Sequence, residues 1–277
     1  MVLTIIRELD LNRSTKALNN LELSVKNNVA VITLNRPKAF NALDKETSFE
    51  LMKVSIQCHE DPEIRAAVIT GNGKAFCAGG DLPGFATAGD QVSSAMLETT
   101  TYLHGAISRF ARMSPPLVSA VNGVAAGAGM SLACSTDLAI AGESAKFTMA
   151  YTKAGLTPDG SSTFFLARLV GLRRAQELVL TNRVLSAEEA RDWGLINRIV
   201  PDDEVLSSSV KLAEELASGP TEAFGSAKRL LLASAGDDLE AQMERETRAI
   251  ANAAKGPDGK EGIAAFVAKR SPEFVGR

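Results

Sequence analysis

The sequence contains few of the residues on which several classes of enzyme site depend. It has 3 Cys and 2 His among 277 residues, and Cys58, Cys77 and Cys134 are widely spaced with no Cys-x-x-Cys pair. An odd number of isolated cysteines argues against a disulfide framework and against a zinc site. Neither histidine stands beside a serine or cysteine turn of the nucleophile-elbow type. We expect free, mostly buried thiols, no metal site and no catalytic histidine.

An excess of charge of one sign and a long apolar run are also absent. The 30 Lys and Arg against 33 Asp and Glu give a formal net charge of −3, which does not favour a nucleic-acid partner. The uncharged stretch from Met113 to Thr136 contains prolines, glycines and Asn122, so it fits a buried strand, turn and helix better than a membrane span. The N-terminus lacks the apolar segment of a secretory signal. We expect a cytoplasmic protein that binds neither nucleic acid nor membrane.

The sequence does contain strand and helix patterns that change in character along the chain. Leu21 to Lys26 and Val29 to Leu34 are alternating or apolar runs on either side of Asn27-Asn28, which predicts a hairpin. Beyond Pro201 all the patterns are helical. We therefore predict an α/β protein with an N-terminal arm over residues 1–20, an α/β core over 21–200 and a helical region over 201–277.

Two turns rich in glycine and alanine are the clearest chemical signal. Residues 74–82 read KAFCAGGDL and residues 121–129 read VNGVAAGAG, and the second turn opens a helix. Small residues let the main chain approach a ligand closely, and the free N–H groups at a helix start favour an anion or a carbonyl oxygen that becomes negative. Close packing of a helix on a strand explains the second turn equally well.

Together with LNRPKAFNAL at residues 34–43, the two turns resemble the crotonase (enoyl-CoA hydratase/isomerase) superfamily over nearly the whole chain. The resemblance implies a spiral of ββα turns and a helical C-terminal region that builds homotrimers, often paired into hexamers. It implies an acyl-CoA thioester substrate, with coenzyme A as part of the substrate and no other cofactor. It also implies an oxyanion hole formed by the main-chain N–H groups of Gly80 and Ala128, and an alanine at 128 retains that N–H.

The same resemblance assigns contacts with coenzyme A. The near-terminal Lys269 and Arg270 are candidates for the phosphates, in their own or a neighbouring subunit, although ordinary solvent-exposed charges explain Lys38, Lys269 and Arg270 as well. Pro83 to Gly89 predicts a mobile loop over the acyl group. The candidate contacts nearer the turns are Lys38, Ala39, Asn41, Ala78, Asp81 and Leu82, and the candidates for lining the acyl pocket are Phe85, Phe147 and Met149.

The absence of two carboxylates that hydratases use suggests which type of reaction this protein catalyses. Hydratases of this superfamily use two glutamates, whose positions are occupied here by Ser131 and Tyr151, so hydration by the usual pair is in doubt. Ser131 is a candidate for holding a water or leaving room for the acyl group. Tyr151 is a candidate for donating a hydrogen bond in the pocket, and a core role explains it equally well. We interpret Asp137 as a buried structural partner.

One carboxylate remains near the site, Asp159 in GLTPDG at residues 155–160. The ring-1,2-epoxyphenylacetyl-CoA isomerase branch, to which this segment is similar, carries an Asp at this place. A single acid/base fits the removal of a proton from one carbon and its return to another. We therefore favour an acyl-CoA isomerase. The alternatives are a turn or helix-cap role for Asp159, an enoyl-CoA hydratase, or an inactive relative that binds CoA or RNA.

Overall fold

The computed structural model describes residues 18–277, so the predicted N-terminal arm lies almost wholly outside the described residues. The described chain starts with an antiparallel hairpin of strands β1 (Leu21–Lys26) and β2 (Val29–Leu34). Asn27 and Asn28 form its turn with φ of 52° and 61°, a left-handed conformation that Asn tolerates better than most residues. The predicted hairpin is confirmed.

The strands are divided between two sheets. A six-stranded sheet has the order β1-β2-β3-β5-β7-β10, and a four-stranded sheet has the order β4-β6-β8-β9. The β1–β2 and β8–β9 pairs are antiparallel and the other pairs are parallel. The remaining strands are β3 (Ala66–Gly71), β4 (Ala75–Cys77), β5 (Leu117–Val121), β6 (Val124–Ala126), β7 (Leu138–Gly142), β8 (Lys146–Thr148), β9 (Leu185–Ser186) and β10 (Arg198–Val200).

After the β1–β2 hairpin, whose strands both lie in the large sheet, each of the next three strand pairs sends one strand to each sheet and is followed by a helix. The successive units β3-β4-helix, β5-β6-helix and β7-β8-helix are the turns of a ββα spiral, which confirms the predicted fold class. The helices are α1 (Lys45–Glu60), α2 (Leu82–Ala86), α3 (Val92–Arg112), α4 (Ala128–Cys134), α5 (Ser162–Val170), α6 (Leu172–Thr181), α7 (Ala187–Asp192), α8 (Val205–Ala217), α9 (Thr221–Ala233), α10 (Leu239–Ala253) and α11 (Pro257–Ala268).

The central strands are buried on both faces. Every residue of β3 and β5 is buried, as expected for parallel strands covered by helices on each side. Val68 packs with α8 in a smaller apolar cluster, while its neighbour Ile69 belongs to the main core. The three cysteines are free and buried, as predicted. This double cover fixes β3 and β5, the strands that directly precede β4 and β6 in the chain.

A partly buried ion pair attaches the C-terminal helices to the spiral. Lys228 of α9 lies 2.7 Å from the Asp137 carboxylate and donates to the carbonyls of Phe110 and Pro115. Asp137 also accepts from the N–H of Leu117 at 2.7 Å. These contacts show Asp137 as a structural partner, as predicted, but its side chain is 25% exposed and the predicted burial was wrong. None of the helices in residues 18–277 is long and apolar enough to cross a membrane.

One prediction about the chain near the site was wrong. Pro83 to Gly89 is not a loop, because α2 occupies Leu82–Ala86. The Asp81 carboxylate caps this helix by accepting from the N–H of Gly84 at 3.0 Å, and Pro83 lies in the first turn, where its missing N–H costs nothing. The sequence pattern did not predict this helix, because five residues are too few to show a helical period.

Candidate active site

The two glycine-rich turns meet at one edge of the small sheet. Strands β4 and β6 are parallel neighbours with Ala75 opposite Val124, so the turns that follow them leave the sheet side by side. A Cβ built on Gly79 would lie 2.9 Å from the carbonyl oxygen of Ala126 and 3.5 Å from the nitrogen of Ala128. The first turn is also tied to the segment before α1, because Leu43 donates to the carbonyl of Gly79 at 2.7 Å.

The glycines of the second turn have separate physical causes. Gly127 has φ of 50°, a left-handed conformation in which a side chain is strained. Gly129 has ordinary helical geometry, but a Cβ on it would lie 2.1 Å from the carbonyl oxygen of Cys77. Helix α4 can therefore pack on β4 only with glycine at 129. Residue 128 has neither restriction, which explains how it can be alanine.

Both predicted donors have a free main-chain N–H. Among residues 18–277, neither the Gly80 nor the Ala128 N–H has a hydrogen-bond acceptor. Ala128 is the first residue of α4, where a helix leaves its N–H groups without internal partners. Gly80 and Ala128 both line a cavity of about 270 Å³. Two unused donors beside one cavity are the arrangement needed to bind a developing oxyanion.

The cavity itself is mostly apolar. Helices α2 and α3 form one wall and residues 150–159 form another. Within the described chain, Asp159 supplies the only charged side chain in the lining. Phe85 lies in the wall as predicted, whereas Phe147 and Met149 are 0% exposed in the core and their assignment to the pocket was wrong. The other large apolar residues of the lining are Leu43, Leu82, Met96, Leu103 and Leu156.

Asp159 is held by the two residues that replace the expected glutamates. Tyr151 donates from Oη to Asp159 Oδ1 at 2.5 Å, and Ser131 Oγ lies 2.9 Å from the same Tyr151 Oη. Burial raises the pKa of Tyr151 above its usual range, and the nearby Asp159 charge raises it further, so the phenol keeps its proton. In residues 18–277 no group donates to Asp159 Oδ2, which leaves that oxygen available to a substrate.

The main chain around Asp159 is fixed from two helices. The N–H of Gly160 donates to Nε2 of His104 on α3 at 3.2 Å. Ser162, at the start of α5, donates from its hydroxyl to the Asp159 carbonyl at 2.9 Å. Helix α5 has Ser161 at its N-cap and no side-chain cap, so the interpretation of the Asp159 carboxylate as a helix cap was wrong. Sequence reasoning missed His104, since nothing local relates residue 104 to residue 160.

The predicted coenzyme A residues occupy different environments. Ala78 and Leu82 line the cavity, and Lys38 and Ala39 lie in a short 3₁₀ turn. Asn41 is 1% exposed and donates to the carbonyls of Asn72 and Ala75, so its side chain is used to hold neighbouring segments together. The contacts of all these residues with CoA stay predictions.

Two further candidates are engaged in internal contacts. Asp81 lies 2.9 Å from the Arg36 guanidinium. Burial by itself would raise the pKa of Asp81, but the Arg36 hydrogen bond and the Gly84 N–H outweigh it and lower the pKa. Lys269 ends α11 and Arg270 pairs with Glu261 at 2.5 Å. Neither lines the cavity within the described chain, and their contact with CoA stays a prediction.

Comparison with known proteins identifies the family. A family model described as "Enoyl-CoA hydratase/isomerase" matches residues 24–277. The chain belongs to the enoyl-CoA hydratase/isomerase family. The predicted resemblance to the crotonase superfamily, and within it to the 1,2-epoxyphenylacetyl-CoA isomerase-like branch, is confirmed.

Individual members of the enoyl-CoA hydratase/isomerase family match nearly the full chain. The 1,2-epoxyphenylacetyl-CoA isomerase of Escherichia coli (strain K12) is 38% identical over 91% of this chain and 97% of its own length. A Rhodobacter capsulatus protein named "Probable enoyl-CoA hydratase" is 38% identical over 94% and 99%. The crystal structure of an enoyl-CoA hydratase from Polaromonas sp. JS666 superposes with a TM-score of 0.88 at 32% identity, covering 92% and 99%. Isomerase and hydratase names occur at the same identity, so identity does not separate the two activities.

Proposed function

We propose that this family member is an acyl-CoA isomerase in which Asp159 is the single acid/base. One observation carries the proposal: a cavity with two unused main-chain N–H groups contains one carboxylate, Asp159. Its substrate is an acyl-CoA thioester, and the coenzyme A belongs to that substrate. The reaction needs no further cofactor.

A double-bond shift can be written with these groups alone. An oxygen of Asp159 takes a proton from C2 of a 3-enoyl thioester, and the C–H electron pair moves into a dienolate with negative charge on the thioester oxygen. The N–H groups of Gly80 and Ala128 stabilise that oxygen, each on the scale of about 3 kcal/mol. Asp159 then returns the proton to C4, the charge leaves the oxygen, and the double bond lies between C2 and C3. No atom is gained or lost.

The acyl group is proposed to be apolar and compact. A cavity of about 150 Å³ is enough to hold benzene, so a cavity of about 270 Å³ accommodates a ring or a medium-length chain. Among residues 18–277, its lining has no cationic side chain for an acidic acyl end. The E. coli relative is named 1,2-epoxyphenylacetyl-CoA isomerase, and an epoxyphenylacetyl group is therefore a candidate beside simple 3-enoyl chains.

Hydration is the second candidate, because the Rhodobacter relative is named as a hydratase. Water addition requires groups that position and activate water, and Ser131 and Tyr151 provide hydroxyls where a carboxylate pair would stand. An inactive relative that binds RNA has less support, since the net charge of −3 gives no general attraction to phosphates.

The same proposal includes self-association and a cytoplasmic location, the latter on sequence grounds alone. Phe266 and Val267 of α11 are 86% and 78% exposed, and Ile250 of α10 is 73% exposed. Such apolar side chains fit a homotrimer or a dimer of trimers. We expect light scattering to give a native mass three or six times the 29.2 kDa of one chain; a 29.2 kDa particle would contradict it.

The experiment that tests the activity is a screen of 3-enoyl-, 2-enoyl- and epoxyphenylacetyl-CoA thioesters, read by mass and by the position of the double bond. We expect products with unchanged mass and a shifted double bond. A product heavier by one water would instead identify a hydratase. Saturated thioesters of equal chain length are the matched control, because they bind without a double bond to move.

A further inference from the structure

Three hydrogen-bond contacts connect the Gly127 carbonyl to Asp159 in a line through Ser131 and Tyr151. Ser131 Oγ lies 3.2 Å from the carbonyl oxygen of Gly127, Tyr151 Oη lies 2.9 Å from Ser131 Oγ, and Asp159 Oδ1 lies 2.5 Å from Tyr151 Oη. Ser131 is 0% exposed. Gly127 directly precedes the donor Ala128, so this line joins the two halves of the candidate site.

These hydrogen bonds keep their direction when Asp159 takes a proton from the substrate. An ionised carboxylate can only accept, so Tyr151 donates to Asp159 Oδ1 and Ser131 donates to Tyr151. The substrate proton arrives at the free Oδ2, and Oδ1 of the protonated acid still accepts from Tyr151. No O–H bond breaks in Tyr151 or Ser131, and the proton on Oδ2 stays available for return to the substrate.

We propose that Tyr151, supported by Ser131, is a positioning residue that keeps Asp159 hydrogen-bonded both before and after it takes a proton. The inference rests on the proposed function, which requires Asp159 to hold a substrate proton and return it. Oδ1 is an acceptor whether or not the substrate proton is on Oδ2, and an unsatisfied buried group is costly. A hydroxyl can donate to Asp159 and at the same time accept from Ser131, which holds the Tyr151 hydrogen on Oδ1 in both states.

The chemistry of the line also explains why a carboxylate would not serve at position 151. A glutamate there would set a second negative charge against Asp159, and two adjacent carboxylates raise the pKa of one of them. A phenol that keeps its proton avoids that conflict, and burial with the Asp159 charge holds the pKa of Tyr151 above its usual range.

The test compares Tyr151→Phe, Ser131→Ala and the double variant in the isomerase assay. Loss of one hydrogen bond to a charged group is expected to lower the kcat of Tyr151→Phe by about 10- to 100-fold. Its KM should stay within about twofold, because the bond acts through Asp159 and not on bound substrate. Ser131→Ala should lower kcat by less, since Tyr151 still donates to ionised Asp159.

Non-additivity separates this role from a packing role. Because Ser131 acts through Tyr151, the double variant should be no slower than Tyr151→Phe alone. A kcat of Tyr151→Phe within about twofold of the wild-type value, or effects that multiply in the double variant, would overturn the inference. Circular dichroism monitors folding, and if Tyr151→Phe does not fold, a kcat of Ser131→Ala equal to that of the wild type overturns it.

The variant Asp159→Asn distinguishes a failure of the proposed function from a failure of the positioning role. If that variant keeps full isomerase turnover, the proposed function itself is wrong. If Asp159→Asn loses turnover while Tyr151→Phe and Ser131→Ala keep it, only the positioning role is wrong.

Discussion

Replacing Asp159 by Asn is expected to lower the isomerase kcat by at least about 100-fold, the scale of a positioned acid/base. The amide has nearly the shape of the carboxylate and its oxygen can still accept from Tyr151 Oη, which lies 2.5 Å from Oδ1 in the wild type. What it loses is the ability to take a proton from carbon. Steady-state turnover of a 3-enoyl-CoA and calorimetric binding of a saturated acyl-CoA measure the two effects separately, and binding should be unchanged.

Asp90→Asn is the matched control for this prediction. It removes the same charge from an exposed acid that does not line the cavity, so its kcat and KM should equal those of the wild type. Unchanged turnover by Asp159→Asn would contradict the proposed role. Hydration of an enoyl-CoA that survives the loss of Asp159 would favour the hydratase.

Replacing Ala128 by Pro should lower kcat by about 100- to 1,000-fold, the usual effect of removing one oxyanion-hole donor. Proline deletes the main-chain N–H, and Ala128 is the first residue of α4, a position that favours proline. A folded variant is therefore expected, which thermal unfolding can verify. The loss should appear in kcat more than in KM, because the charge on the thioester oxygen develops after binding.

Ala128→Gly provides the matched comparison, since it changes the side chain and retains the N–H. We expect its kcat to stay within about threefold of the wild-type value. Equal, strong losses in both variants would mean that residue 128 acts through packing. A fully active, folded Ala128→Pro would show that the N–H of residue 128 is not a donor in the reaction.

Local sequence patterns predicted the secondary-structure elements that are determined by residues close together in the sequence. The β1–β2 turn follows from two residues that tolerate positive φ, and helix α1 starts at Asp44, whose carboxylate accepts from the N–H of Thr47 at 2.8 Å. The strands β6 and β8 of the small sheet are only three residues long. They are strands because they pair with segments distant in sequence, and three residues show no periodicity.

The site was predictable where the main chain requires glycine. Gly79, Gly127 and Gly129 are required by close approaches or positive φ, and so the sequence marks the turns that carry the two candidate donors. Side-chain direction was not predictable in the same way. Phe147 lies in β8, and its burial depends on the pairing of β8 with β6 and β9. The contact of His104 with Gly160 likewise exists only after α3 packs beside the turn.

Helix α2 has a consequence for altering the enzyme. It has no buried residue, yet Leu82 and Phe85 form part of the cavity wall. The two glycine-rich turns, by contrast, contact buried main chain on several sides. Substitutions of Leu82 and Phe85 can therefore change which acyl groups fit while Asp159, on another wall, is untouched. Because the Phe85 ring lies beside Gly80 and Leu82 donates to the Gly80 carbonyl, a library at these two positions also probes how firmly the first turn is held.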